Sequence, residues 1–122
     1  KKPLHGIDIK KGALFPLVHG VRAMALQCRI RETSTLARLD KLVAAGAMEP
    51  GFAEDLGEAM ELFSELRLSR QLAKLQGEDE TVEDNHIVVQ QLSSLERDVL
   101  RDALHLVSEF KQRLSRRFHL EY

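Results

Sequence analysis

Two long stretches of the chain keep apolar residues at helical spacing, and residues that start and stop helices bound both. The first begins at Pro50, which suits a first helical turn, and runs to Gln76, with Gly77 as the expected stop. The second follows a capping-box pattern, with Ser93 as N-cap and Glu96 at the third helical position, and runs on to about residue 118. At about 40 Å and about 36 Å, the two are matched in length as antiparallel neighbours.

Two shorter helices are predicted before them. Apolar residues at i, i+3, i+4 and i+7 indicate a first helix over 13–28. A polar connection over 31–35, rich in N-cap residues, precedes a second helix over 36–45, and Gly46 is its expected stop. On the last long helix, we expect the buried positions to be Leu95, Val99, Ala103, Leu106, Phe110 and Leu114.

The segments outside these helices are short, apart from one. Residues 6–10 alternate apolar and polar, which predicts an extended segment that ends at Gly12 and has Asp8 and Lys10 on one face. Residues 77–92 are expected to form a long loop. The predicted fold class is therefore all-α: a four-helix bundle with a short extended N-terminal segment, two long antiparallel helices and two shorter ones.

Length and composition fit one domain over 1–122. The chain has 122 residues, of which 43% are apolar and 30% charged, as in folded globular domains. The lone Cys28 excludes an internal disulfide framework and favours a reducing compartment, so we expect a cytoplasmic protein. No run approaches the roughly 18 apolar residues of a membrane span. Since Lys1 is neither an initiator nor the start of a signal peptide, we expect the chain to be part of a longer protein.

The charges are unevenly distributed along the sequence. The net charge is −1, yet residues 1–38 hold eight lysines and arginines against two acids. Acidic residues are concentrated in 49–65 and 78–84. A basic N-terminal third predicts an anionic partner, and the alternative is a set of solvated surface lysines and arginines.

Motifs of the common enzyme classes are missing from the sequence. It has no Gly-x-Gly, no Gly-Lys-Ser/Thr and no Gly-x-Ser-x-Gly, so dinucleotide loops, phosphate loops and hydrolase elbows are excluded. Two weaker patterns remain. Arg113 and His119 have the spacing of the Arg and His pair in helical HEPN ribonucleases, and His19 could suggest a phosphotransfer histidine, with Arg22 where a lysine is expected.

A more specific signal lies in four segments: 7–26, 30–39, 66–72 and 92–97. The first reads IDIKKGALFPLVHGVRAMAL. Together these segments closely resemble a helical domain described as a putative nucleotidyltransferase substrate-binding domain. The opening is also similar to the Asp-x-Lys-x-Gly-Gly segment of uridylyl- and adenylyltransferases, with Ala13 in place of the second glycine.

The resemblance implies a place in a larger bacterial signalling protein. In that family a cyclic-nucleotide-binding domain, a pair of CBS domains and a PII-uridylyltransferase-like head typically precede the helical domain. Polymerase-β-type heads need Gly-Ser followed by Asp-x-Asp to hold magnesium, and neither motif occurs here. The chain would then carry no cofactor and no catalytic residue. It would close the cleft and position the acceptor, while magnesium and a nucleoside triphosphate belong to the parent protein.

The resemblance also implies candidate substrate- or phosphate-binding residues. Lys10, Arg22 and Arg31 would contact phosphate, and His19 would add a hydrogen bond. The full candidate set is Asp8, Lys10, His19, Arg22, Arg31, Arg38, Arg67 and Arg70. In the alternative interpretation, Asp8 pairs with an arginine and ties the extended segment to the bundle.

The expected partners are the head and regulatory domains of the same protein, with no membrane and no specific nucleic acid. A homodimer is an alternative assembly. Two other functions stay open on the sequence: a helical module for dimerisation or regulatory interaction, and a HEPN-like ribonuclease. The residues alone do not decide whether the chain is itself an enzyme.

Overall fold

The structure is a computed structural model that describes residues 6–77, 86–88 and 92–119. Its elements in chain order are β1 (Gly6–Asp8), a π-helical turn (Lys10–Leu14), α1 (Phe15–Gln27), α2 (Thr35–Ala44), α3 (Pro50–Leu75), β2 (His86–Val88) and α4 (Ser94–Phe118). The predicted all-α class is confirmed, with two long and two shorter helices. In the described part of the chain, no helix has the length and apolar character needed to cross a membrane.

The helix ends follow the local signals in the sequence. The Ser34 hydroxyl accepts a hydrogen bond from the Ala37 amide at 3.1 Å and caps α2. Ser93 and Glu96 form the predicted capping box at the start of α4. Gly46 and Gly77 follow α2 and α3 with φ of 73° and 74°, a conformation that glycine adopts without a steric penalty.

The N-terminal segment differs from the prediction. The strand ends at Asp8, because Ile9 already has helical dihedrals (φ −63°, ψ −37°). Gly12 therefore lies inside the π-helical turn instead of ending an extended segment, and Asp8 and Lys10 do not share a strand face. The Asp8 carboxylate accepts a hydrogen bond from the Lys11 amide at 3.0 Å, which caps the turn.

A second strand lies within the predicted loop. β2 pairs antiparallel with β1, with Ile7 opposite Ile87. The pairing joins segments about 80 residues apart in the chain. The rest of the predicted loop, over 78–85 and 89–91, lies outside the described residues.

The core lies between the four helices, and the π-helical turn packs against α1 and α3. The largest fully buried side chains are Phe63, Phe110, Ile9, Leu17, Leu42, Leu56, Val21 and Val107. On α4 the predicted buried face is wrong in part. Ala103, Phe110 and Leu114 are buried as predicted, but Leu95 and Val99 are 74% and 46% exposed.

Leu106 is only half-buried, and the positions that complete the α4 core are Leu100 and Val107. The buried stripe of α4 therefore lies partly on apolar positions next to the predicted ones. The reason is that α4 carries apolar residues on adjacent stripes, and its packing against α1 and α3 selects one of them.

Candidate functional site

The outer side of α1 presents basic and aromatic residues together. Phe15, His19, Arg22 and Leu26 follow one stripe of the helix at spacings of four, three and four residues, and all four are exposed. Lys10 joins them from the π-helical turn. We refer to Lys10, Phe15, His19, Arg22 and Leu26 as the α1 face.

Two contacts with one ring organise the N-terminal end of the α1 face. The Lys10 ammonium lies 5.2 Å from the centroid of the Phe15 ring. The His19 ring stacks on Phe15 with 5.2 Å between centroids and 14° between planes. The ring contact of Lys10 contributes about 0.5–1 kcal/mol, the usual value for a cation over an exposed aromatic ring, and leaves the ammonium charge in place.

Arg22 continues the α1 face one turn beyond His19. Its side chain is exposed and makes no hydrogen bond or ion pair with the residues that the structure describes. A guanidinium in this state can offer parallel N–H donors to a phosphate or carboxylate. Leu26, 61% exposed, extends the apolar part of the face by a further turn.

Asp8 and Arg38 make contacts with nearby backbone groups. Asp8 caps the π-helical turn through the Lys11 amide and forms no ion pair with an arginine among the described residues. The Arg38 Nε donates to the carbonyl oxygen of Glu32 at 2.8 Å, which fixes the connection between α1 and α2.

The remaining candidates lie on other elements. Arg31 is exposed in the connection between α1 and α2. Arg67 and Arg70 are half-buried on α3, the helix that packs against the π-helical turn and β2. The structure therefore brings Lys10, His19 and Arg22 onto one face and distributes the other candidates over other parts of the bundle.

Within 6–77, 86–88 and 92–119, no three or more His, Cys, Asp or Glu side chains are grouped so that they could hold a metal ion. The donors of the α1 face are an ammonium, an imidazole and a guanidinium. Donors of this kind are chemically suited to an anion, not to a metal cation.

The sequence did not predict a cleft of about 510 Å³ in the bundle. It lies between α1, the connection from α2 to α3, the start of α3 and the second half of α4. Two arginines of α4 line it, Arg113 and Arg117. Their i, i+4 spacing places both arginines on the same side of α4, whereas the ribonuclease-like pattern pairs Arg113 with His119, which is exposed at the C-cap of α4.

Comparison with known proteins gives one match. The family described as "Putative nucleotidyltransferase substrate binding domain" matches residues 2–118. No curated protein and no solved structure matches the chain. The match includes every candidate residue and confirms the resemblance found in the sequence.

Proposed function

Because the chain belongs to the family of nucleotidyltransferase substrate-binding domains, we propose that it positions the substrate of a nucleotidyltransferase head without catalysing the transfer itself. In this proposal the chain is the C-terminal helical domain of a cytoplasmic bacterial signalling protein. The head is of the polymerase-β type, and cyclic-nucleotide-binding and CBS domains regulate it. The head, not this chain, holds magnesium and the nucleoside triphosphate.

The observation that carries the proposal is the arrangement of Lys10, Phe15 and His19. Two basic side chains contact one exposed ring, and Arg22 follows on the same stripe. Such a surface offers charged donors to a phosphate or carboxylate and a flat apolar surface to the group that bears it. These are the contacts that an anionic substrate requires.

A positioning role fits the residue types on the α1 face. Each hydrogen bond to a charged group contributes about 1.5–3 kcal/mol. Holding an acceptor against the head also lowers the entropy cost of bringing the two reactants together. The sequence lacks the Gly-Ser and Asp-x-Asp motifs that hold magnesium in polymerase-β-type heads, so we assign the chemical step to the head.

The test is reconstitution from separate parts of the parent protein. Nucleotide transfer to the acceptor is measured for the head alone, for this chain alone and for the two mixed. We expect slow transfer by the head, none by this chain, and faster transfer by the mixture. Metal-dependent transfer by this chain alone, abolished by a point substitution within it, would contradict the proposal, as would a mixture no faster than the head.

A second candidate function, a helical interaction module, is favoured by a separate observation. Leu68, Leu72 and Leu75 follow one stripe of α3 and are 56%, 49% and 84% exposed. Exposed apolar stripes mark interaction surfaces. Sedimentation equilibrium should then show a concentration-dependent dimer that Leu72→Glu abolishes. A monomer at every concentration would exclude homodimerisation, and loss of the dimer only in Leu26→Glu would move the interface to the α1 face.

A further inference from the structure

The cleft between the four helices is mainly apolar at its base. The residues that line it include Met24, Ala47, Phe52, Phe110, Arg113 and Arg117. Small-molecule sites usually measure about 300–1,000 Å³ and combine an apolar lining with a few polar groups. At about 510 Å³, this cleft lies within that range.

The two arginines of the cleft differ in how their charge is balanced. The Arg113 guanidinium lies over the Phe52 ring, 3.9 Å from its centroid, and forms an ion pair with Glu109 at 2.7 Å. Its charge is therefore matched by a carboxylate. The Phe52 ring in turn packs against Phe110 at the base of the cleft, with 6.0 Å between centroids.

Arg117 has neutral partners instead. Its Nε donates to the side-chain oxygen of Gln27, and its Nη2 lies 4.0 Å from the Cys28 sulfur. No carboxylate of the described residues forms an ion pair with it, although Glu49 lines the same cleft. Gln27 and Cys28 thus orient a guanidinium that no carboxylate of the described residues pairs with, beside an apolar cavity.

We propose that this cleft binds a small organic acid with an apolar body and one carboxylate or phosphate group. The apolar body lies against Met24, Phe52 and Phe110, and the anionic group accepts hydrogen bonds from Arg117. Both parts of such a ligand gain from binding: burial of the apolar body removes apolar surface from water, and the anionic group pairs with the Arg117 guanidinium. The site is separate from the α1 face and does not depend on nucleotide transfer.

Titration calorimetry with matched probes tests the proposal. The probes are 1-naphthoate, 1-naphthyl phosphate and the uncharged 1-naphthalenemethanol. We expect at least one of the two acids to bind at least about tenfold more tightly than the alcohol, because only an acid pairs with Arg117. Comparing the two acids decides between carboxylate and phosphate. No binding of either acid, or equal binding of acid and alcohol, would overturn the proposal.

Three variants locate the binding. Arg117→Gln should weaken acid binding about tenfold and leave alcohol binding unchanged, since it removes the charge but keeps a neutral donor. Ala47→Phe should abolish binding of all three probes by filling the cleft, with both arginines in place. Circular dichroism confirms that each variant is folded. Arg97→Ala, at an exposed position of α4 outside the cleft, should change nothing, and acid binding that survives unchanged in both Arg117→Gln and Ala47→Phe would overturn the proposal.

Discussion

Gly20 of α1 lies so close to Phe110 of α4 that a Cβ atom at position 20 would meet the Phe110 Cε2 atom at 2.7 Å. The same Cβ would lie 2.5 Å from Cδ1 of Leu114. Both neighbours are buried core side chains. A side chain at this position therefore cannot fit without displacing the core where α1 crosses α4.

We predict that Gly20→Ala destabilises the protein by about 1–3 kcal/mol, the usual cost of overpacking a core. The free energy of unfolding is measured by urea denaturation. Gly51→Ala is the matched control. A Cβ at that position meets no atom within 4 Å, so its stability should be unchanged or slightly higher. Equal stability of the two variants would show that α1 and α4 do not approach as closely as described.

A second prediction concerns the capping box of α4. The Ser93 hydroxyl accepts from the Glu96 amide at 3.1 Å, and the Glu96 carboxylate accepts from the Ser93 amide at 2.8 Å. Ser93→Ala should cost about 1 kcal/mol of unfolding free energy, the typical value for loss of an N-cap. Ser94→Ala, one residue further on, should cost little. If both substitutions had the same small effect, the cap would not stabilise the helix.

The third prediction tests whether Asp8 stabilises the fold or binds substrate. Because its carboxylate caps the π-helical turn, Asp8→Ala should lower stability by about 0.5–2 kcal/mol. Asp8→Asn keeps an oxygen acceptor and should retain most of that stability. Thermal melting of the two variants checks this. Normal stability of Asp8→Ala with impaired substrate binding would instead assign Asp8 to the site.

Much of the fold could be predicted because its signals are local. Pro50, Ser93 and the glycines at 46 and 77 set helix ends through their own backbone and side-chain chemistry, without distant partners. The buried stripe of α4 could not be predicted in the same way. Leu95 and Leu100 are equally apolar, and only the packing of α1 and α3 buries the second and exposes the first. The pairing of β1 with β2 likewise depends on residues distant in sequence.

The residues of the candidate site also divide into those that local sequence places and those that depend on the folded chain. Helical spacing alone places His19 and Arg22 one turn apart on the outside of α1. The contact of Arg38 with the Glu32 carbonyl depends on the path of a connection, which no periodicity describes. The cleft beside Arg117 exists only when all four helices are packed together. The sequence therefore indicates it only through the spacing of Arg113 and Arg117.

The central claim is that the α1 face positions an anionic substrate, and Arg22→Ala in the full-length protein tests it most directly. Arg97→Ala is the matched control, an exposed arginine on α4. Nucleotide transfer and melting temperature are measured for both variants. Loss of one charged contact of about 1.5–3 kcal/mol predicts at least about tenfold slower transfer for Arg22→Ala. Its melting temperature should change by no more than about 3 °C, as for other surface substitutions. Unchanged transfer in Arg22→Ala, or the same loss in Arg97→Ala, would contradict the account.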